Sequence, residues 1–513
     1  MIEVLHFNEA FVKVRCDDSI AMELSEFFTF RTPKAQFHPL VKQRKWDGNI
    51  RLFNLKFKTL YKGLLTILCD FAETRGYPIS VEDGLVCNNP VPEQDDLQQS
   101  LQKMFNPHDG KKNPLSYRGY QVKAISEALR RNRLTLLSPT SSGKSLLIYT
   151  LMRLFMQKKS IAGRKVLIVV PTTALVEQMT ADFRDYSFKN GFDVAKSVHK
   201  IYDYDGVTLN TDKPVIVSTW QSLYRLKPEW FKQFGVVFVD EVHGAKADSL
   251  CTIMEDLVDC KYRFGLTGTL DDVEMHELTI QGLFGDIVRV EHTWKMMERG
   301  EVAKLDIEML FLRHPTTDSK ALTALKKPLK KPLKPAQKYK AEMDFLCGHT
   351  KRNLFIKNLS LKFGKNILVL FQYVDKHGKI LHDLIERDAK TGRKVFLVYG
   401  GTETEQREQI RHIVEEETDA IIIASYGAFS TGISIKNIHG IVFASPSKSK
   451  IRVLQSIGRG LRMSDTKDSV TLFDLVDDLS HAGDENYTLQ HGMERIDIYS
   501  KERFNYRVTK LEI

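Results

Sequence analysis

A chain of 513 residues is too long to share one hydrophobic core, and roughly two to four domains are expected. Hydrophobic residues at 42% and charged residues at 27% fit a soluble globular protein, and no apolar run reaches the ~18 residues that span a bilayer. The formal charge of +10 favours a polyanionic partner, while six cysteines without a Cys-x-x-Cys pair disfavour zinc and dithiol redox chemistry. Those thiols read as reduced core thiols of a cytosolic protein. The start Met1-Ile2-Glu3-Val4 has no secretory layout.

Residues 1–88 read as a small α+β unit. Asp47-Gly48 between Gln43–Trp46 and Asn49–Phe53 predicts a two-residue hairpin, and Leu60 to Arg75 has helical spacing. Residues 31–62 hold nine Lys or Arg and one acid, Asp47, with Phe37, Trp46, Phe53, Phe57 and Tyr61 among them. Basic groups neutralise phosphates and aromatics stack on bases. Most of these aromatics are expected in the small domain's core. The basic groups, Arg44, Lys45, Arg51 and Lys56 among them, are expected to form a nucleic-acid-binding face. Turn-rich sequence follows, from Asn88-Asn89-Pro90-Val91-Pro92 through a short helical stretch to Asn113-Pro114, and residues 89–114 are read as a linker.

From Tyr117 the pattern changes. Apolar runs at Leu134–Leu137, Val166–Val170, Val215–Ser218, Val236–Val239 and Arg263–Leu266 alternate with helical segments, which predicts a parallel sheet covered on both faces. Between the first run and the next helix lies Ser138-Pro139-Thr140-Ser141-Ser142-Gly143-Lys144-Ser145. A strand, a loop of small residues and a helix start form a phosphate cradle. Thr140, Ser141, Ser142 and Gly143 would wrap the phosphates of ATP, Lys144 would reach the β and γ phosphates, and Ser145 would hold Mg²⁺. Ser138 stands where this loop usually begins with glycine. Upstream, the Gln121 amide beside Arg118 can pair with an adenine edge.

The run Val236–Val239 ends in Asp240 and Glu241, two carboxylates at the edge where open α/β sheets bind ligands. Asp240 would coordinate Mg²⁺ and Glu241 would act as base toward the attacking water. His243, two residues on, is either structural or a coupling residue.

Residues 326–340 contain seven lysines and three prolines. Prolines oppose a continuous helix and like charges repel, so this is either a solvated loop or a phosphate-contacting segment. A second alternating series follows, with runs at Ile367–Phe371, Val395–Val398, Ala420–Ala424, Ile441–Ala444 and Val470–Phe473. Within it, Gln455 to Arg462 carries Arg459 and Arg462 three apart, which on a helix share a face. Planar guanidinium groups suit the charge of a transferring phosphoryl group.

The order of these segments resembles that of superfamily 2 helicases. It runs through Gln121, Gly143-Lys144-Ser145, Pro171-Thr172-Thr173 with Gln178, Ser218-Thr219-Trp220-Gln221, and Asp240 to His243. It continues with Thr267-Gly268-Thr269, Phe371-Gln372, Ser430-Thr431-Gly432 and Gln455 to Arg462. Trp46-Asp47-Gly48, Ser425-Tyr426-Gly427 and Lys448-Ser449-Lys450 make the chain similar to the UvsW-type recombination helicases of T4-like phages over nearly its whole length. The resemblance implies an α/β fold of two tandem RecA-like parallel-sheet lobes with a small N-terminal α+β domain. The expected domains are 1–88, 89–114, 115–312 and 313–513.

The resemblance further implies ATP-dependent unwinding, branch migration and annealing of branched DNA and R-loops, by a monomer in the host cytoplasm. Gln455, Arg459 and Arg462 would serve hydrolysis, Thr172, Thr173, Thr219 and Thr431 would contact nucleic acid, and Gly432 would line the nucleotide site. Thr267-Gly268-Thr269 resembles the motif that couples hydrolysis to movement. Ser434 stands where many relatives have aspartate. An RNA helicase, a duplex translocase and a non-hydrolysing ATP-gated binding protein are the alternatives.

Overall fold

The computed structural model describes residues 1–32, 35–202, 209–244, 248–270, 274–327, 333–432, 435–445, 447, 449–464 and 467–513. For Asp248, Glu274, Met275, Thr404, Ser430, Thr431 and Gly432 it describes the backbone alone. The chain divides into two compact units, Met1–Glu291 and His292–Ile513.

The first unit begins with a small mixed sheet. Its strands are β1 (Ile2–His6), β2 (Phe11–Arg15), β5 (Phe53–Asn54), β6 (Thr59–Tyr61) and β7 (Ile79–Val81), in the order β5-β6-β2-β1-β7. A separate ribbon pairs β3 (Thr29–Arg31) with β4 (Asn49–Arg51) in antiparallel fashion. The hairpin expected around Asp47-Gly48 is therefore corrected. Pro39 takes the first turn of a short helix, Pro39–Lys42, so the residues before Asp47 do not extend into a strand. Gly48, at φ +85°, instead turns β4 toward β3, and a Cβ there would meet Ala35 Cβ at 2.7 Å. The helix expected from Leu60 begins at Leu65, after β6 and a 3₁₀ turn, Lys62–Leu64.

The rest of the first unit is a seven-stranded, all-parallel sheet. Its strands are β8 (Arg133–Leu137), β9 (Lys165–Val170), β10 (Val198–Ile201), β11 (Val215–Thr219), β12 (Phe234–Asp240), β13 (Tyr262–Thr267) and β14 (Ile287–Arg289). The order is β10-β11-β9-β12-β13-β8-β14. Strands β11 and β12 are buried throughout, because helices cover both faces. The expected linker contains a helix, Gln94–Phe105, that buries Leu97, Leu101 and Phe105. Gln98 Nε2 ties this helix to Tyr117 O at 2.7 Å, so the segment is part of the lobe.

The small domain is joined to this lobe by buried polar contacts. Lys62 Nζ (2.8 Å) and Arg133 Nη2 (3.2 Å) share the Glu9 carboxylate, Tyr61 bonds Glu255, and Glu9 N donates to Val258 O at 2.8 Å. Burial raises the Glu9 pKa, but Lys62 and Arg133 outweigh it and hold the carboxyl below its ordinary value. The backbone at Gly63 passes so close to the lobe that a Cβ would lie 2.0 Å from Gln281 O.

The second unit is built on a second all-parallel sheet. Its strands are β15 (Lys304–Arg313), β16 (Ile367–Phe371), β17 (Val395–Val398), β18 (Ile421–Ser425), β19 (Gly440–Phe443), β20 (Ser469–Asp478) and β21 (Asn505–Glu512), in the order β17-β18-β16-β19-β20-β15-β21. A boundary at 312/313 falls inside β15, which is hydrogen-bonded to β20 and β21, and residues from His292 onward belong to this unit. Two ion pairs fix its interior. Asp477 accepts from Arg352 Nε at 2.8 Å and lies 3.0 Å from His314 Nε2, while Asp474 holds Arg495 at 2.7 and 2.8 Å.

Gly63→Ala is expected to lower stability by about 1–3 kcal/mol, as for other overpacked positions. A denaturant midpoint equal to that of the parent chain would show that the two parts do not approach as closely as described.

Candidate active site

Loops leaving the C-terminal edge of the first parallel sheet carry the predicted nucleotide residues. Because β13 lies between β8 and β12, register pairs Leu137 with Thr267 and Leu266 with Asp240. The phosphate loop, Thr267-Gly268-Thr269 and the Asp240-Glu241 pair are thus neighbours through the sheet itself.

The loop after β8 is held from within. Ser142 N donates to Pro139 O at 3.2 Å, and Ser142 Oγ lies 2.5 Å from Ser138 Oγ and donates to Pro139 O at 2.6 Å. Ser138 and Ser142 are fully buried. A serine can therefore replace the usual first glycine here, because its hydroxyl has a partner inside the loop. Gly143, at φ +89°, starts the helix Lys144–Met156, and a Cβ there would meet Gln121 Nε2 at 2.5 Å. The Gln121 amide supports the loop from behind, donating to Ser142 O at 2.9 Å and accepting from Arg118 N at 3.0 Å. Tyr120 adds a hydroxyl bond to Ser142 O at 3.2 Å, and Arg118 Nη1 bonds that hydroxyl at 2.9 Å. The Tyr120 contribution was not read from the sequence, where a tyrosine on a helix resembles any core residue.

Lys144 Nζ donates to Glu241 Oε1 at 3.0 Å. The other oxygen, Oε2, faces His243 Nδ1 at 3.2 Å and accepts from Thr267 Oγ1 at 3.3 Å. Thr267 Oγ1 also lies 3.0 Å from His243 Nδ1 and 3.0 Å from Thr269 O, so its one proton is shared between that carbonyl and Glu241. His243 is thereby placed among the site residues, touching both the carboxylate and the Thr-Gly-Thr segment. Glu241 adopts φ +55°, and its own N–H is turned onto Asp240 Oδ1 at 3.0 Å.

The two carboxyls are driven apart electrostatically. Burial pushes Asp240 up to about 6, with the Glu241 charge adding to the rise. Burial also raises Glu241, but Lys144 and His243 outweigh it and hold that carboxyl well below the usual range. The low pKa keeps Glu241 ionised and acceptor-only, able to orient a hydrogen-bond donor. Asp240 is a buried carboxyl, a hard oxygen donor that suits a divalent cation. Ser145 Oγ lies 3.0 Å from Tyr186 OH, a partner that sequence spacing does not reveal because it arrives from the neighbouring helix, Thr173–Tyr186.

Of the candidate nucleic-acid residues in this lobe, Thr172 caps the helix Thr173–Tyr186, its Oγ1 accepting from Leu175 N at 3.4 Å, and Thr173 is exposed at the helix start. Thr219 is buried, and its hydroxyl is shared with Ser222 at 2.9 Å.

In the small domain, three of the expected cations are already paired. Arg51 bonds Asp47, Lys58 bonds Asp18 at 2.8 Å, and Lys62 bonds Glu9. Of the five aromatics, most of which are expected in the core, Phe53 is buried in it, Tyr61 packs against it partly buried, and Trp46 is half-buried with Nε1 on Asn49 O at 2.9 Å. Arg44, Lys45 and Lys56 are exposed, with Phe37 65% and Phe57 56% exposed in the same segment.

In the second unit, the helix Lys450–Gly460 carries Gln455 and Arg459, both half-buried. It stops at Gly460, so Arg462 lies beyond its end and does not share a helical face with Arg459. Its last residue lies close against β19, since a Cβ on Gly460 would meet Ile441 Cδ1 at 2.5 Å. Thr431 and Gly432 close the helix Tyr426–Gly432, while their side chains, with Ser434 and Lys448, lie outside the described residues. Of the lysine-rich segment, 328–332 also lie outside them. Lys326 is not a solvated cation, because its Nζ bonds the fully buried Glu342 at 2.5 Å, and Pro335 opens the helix Pro335–Gly348.

Three family models match the chain: "DNA helicase UvsW, N-terminal" over residues 2–82, "Type III restriction enzyme, res subunit" over 114–272, and "Helicase conserved C-terminal domain" over 350–464. The ATP-dependent DNA helicase uvsW of Enterobacteria phage T4 is 35% identical over 98% of this chain and 98% of its own. The DNA 3'-5' translocase XPB2 of Sulfurisphaera tokodaii is 26% identical over 69% of this chain and 80% of its own. The crystal structure of T4 UvsW superposes with a TM-score of 0.51 at 33% identity, covering 100% of this chain and 99% of that one.

Two outcomes test the site. Lys144→Ala should abolish ATP turnover, and retained nucleic-acid-stimulated turnover would contradict the assignment. Asp240 is raised from 3.8 to about 6, so its charge opposes folding, not at all below about pH 4 and fully above about pH 6. Asp240→Asn should therefore raise the melting temperature of the unliganded chain by a few degrees at pH 7.5, with the gain vanishing toward pH 4, while hydrolysis is lost. An unchanged or lower melting temperature at pH 7.5 would contradict this charge assignment.

With the sheet order, the edge geometry and these relatives in agreement, the chain belongs to the UvsW family of ATP-dependent superfamily 2 helicases.

Proposed function

We propose that the chain couples Mg²⁺-dependent ATP hydrolysis to the unwinding, branch migration and annealing of branched DNA and R-loops. The observation that carries the proposal is the convergence of Lys144, Asp240, Glu241, His243 and Thr267 at one sheet edge. Lys144 leaves Glu241 for the β and γ phosphates, and Thr140, Ser141, Ser142 and Gly143 wrap them. Ser145 and Asp240 are the residues that would hold Mg²⁺, which neutralises phosphate charge when bound. Glu241 then receives the proton of the attacking water. Arg459 and Arg462 stabilise the transferring group, with Gln455 and Gly432 serving the same motifs. Gln121 acts at the adenine edge from the position in which it braces the loop.

Movement starts from Thr267. A hydroxyl shared between Glu241, His243 and Thr269 senses whether the carboxylate is occupied by lysine or by water. Thr172 and Thr173 contact the nucleic-acid backbone at the start of their helix, where N–H groups and the dipole favour phosphate. Thr219 and, in the second unit, Thr431 are assigned the same role. In the small domain Arg44, Lys45 and Lys56 contact phosphates, and exposed Phe37 and Phe57 stack on unpaired bases at a junction. Arg51 reaches a phosphate only by giving up Asp47. The same face accepts RNA within a hybrid.

The protein acts as a monomer in the host cytoplasm. No helix among the described residues is long and apolar enough to cross a membrane.

ATPase and strand-separation assays on forks, four-way junctions, R-loops and linear duplex test the substrate class. Junctions and R-loops are expected to stimulate turnover most and to be separated. Equal stimulation by linear duplex, without separation, would favour the translocase activity named for the archaeal relative. Exchanging both Arg44 and Lys45 for alanine should weaken DNA binding and reduce the slope of log affinity against log salt by about 2. An unchanged slope would remove these residues from the interface.

A further inference from the structure

We infer that Lys467 is a positioning residue for the arginine pair, its ammonium clamping the end of the helix Lys450–Gly460 so that Arg459 and Arg462 leave a fixed backbone. The inference rests on the reading of those arginines as the groups that stabilise the transferring phosphoryl.

The helix that carries Arg459 ends without the usual device. Its last turn is followed by Leu461 in right-handed conformation, with no left-handed glycine to fold back and satisfy the final carbonyls. Donors from elsewhere take that role. Lys467 Nζ donates to Gly460 O at 2.9 Å, and Ala303 N, just before β15, donates to Leu461 O at 3.0 Å. These are the two carbonyls immediately before Arg462. On its other side Gly460 lies against Ile441 of β19. The backbone between the two arginines is thus pinned by a cation, an amide and the sheet.

The same ammonium also bonds Lys436 O. Lys436 follows the segment that holds Thr431 and Gly432, and its own N–H is anchored to Glu415 Oε1 at 2.6 Å. One buried side chain therefore joins the end of the Gln455 to Arg462 segment to Lys436, four residues beyond Gly432.

Packing alone does not account for a lysine here. Lys467 is 1% exposed, and its ammonium is held by backbone carbonyls. Burial draws its pKa down to about 8; Glu415, on the helix Thr404–Glu416, opposes the fall and Arg462 adds to it. Hydrophobic residues would fill the space without that desolvation. A cation placed on helix C-terminal carbonyls gains from the helix dipole, and this is what the geometry provides.

Full-length K467M, K467R and R459A are compared with the parent chain in forked-DNA-stimulated ATP hydrolysis, with affinity for a fluorescent ATP analogue measured alongside. K467M is expected to lower kcat about 100-fold, the scale of an ångström-sized misplacement of a transition-state group, with KM for ATP and analogue affinity changed less than about two-fold. K467R, which keeps charge and donors, should recover at least about ten-fold of that loss. Should K467M not fold, K467Q, which keeps an N–H donor without the charge, is held to the same kcat and KM criteria. The inference is overturned if the uncharged variant keeps a parental kcat while R459A loses it, if its loss falls mainly on KM, or if K467R is as impaired. A parental kcat in R459A would instead overturn the arginine assignment itself.

Discussion

The ion pair between Lys144 and Glu241 is the interaction on which the site depends. It spans 3.0 Å between two loops that leave strands separated by β13. Both side chains are largely shielded from water, at 13% and 19% exposure, so neither charge can be left without a partner. The lysine holds the carboxylate ionised, and the carboxylate holds the lysine at the proposed phosphate loop. Its second oxygen passes the state of that pair to His243 and Thr267. A ligand that draws Lys144 away changes three hydrogen-bonded side chains at once, without any change in sheet register.

A rigid frame makes such a small exchange consequential. Parallel strands β11 and β12 have no exposed residue, and register carries the loops with them. Behind the phosphate loop, Gln121, Tyr120 and the Ser138–Ser142 pair restrict where its backbone can go. In the second unit the helix bearing Arg459 is fixed by Lys467 and by the close approach of Gly460 to Ile441. The two units thus follow one plan. Parallel sheets supply stiffness, and a few buried charges set the positions of the groups proposed to meet phosphate.

Much of this is legible in the sequence because it is local. Apolar runs ending in Ser138 or Asp240 announce strands and edge loops, and Gly143-Lys144-Ser145 marks a helix start whatever precedes it. What is not legible depends on contacts between distant segments. No spacing along the chain links Tyr186 to Ser145, Lys467 to Lys436 or Tyr120 to Ser142, since each pair meets only after the lobe has closed. The hairpin expected at Asp47-Gly48 fails for the same reason, because β3 rather than the adjoining residues supplies the partner for β4. Charge counting overstates the basic face in the same way, since Arg51, Lys58 and Lys62 are each matched by an acid drawn from elsewhere or from the turn itself.

The most direct test is a crystal structure of the full chain with Mg²⁺ and a non-hydrolysable ATP analogue. The account predicts that Lys144 Nζ leaves Glu241 for the β and γ phosphate oxygens, with Ser145 and Asp240 at the metal and Thr267 still bonded to Glu241. Lys144 remaining on Glu241 while the nucleotide binds elsewhere would contradict it.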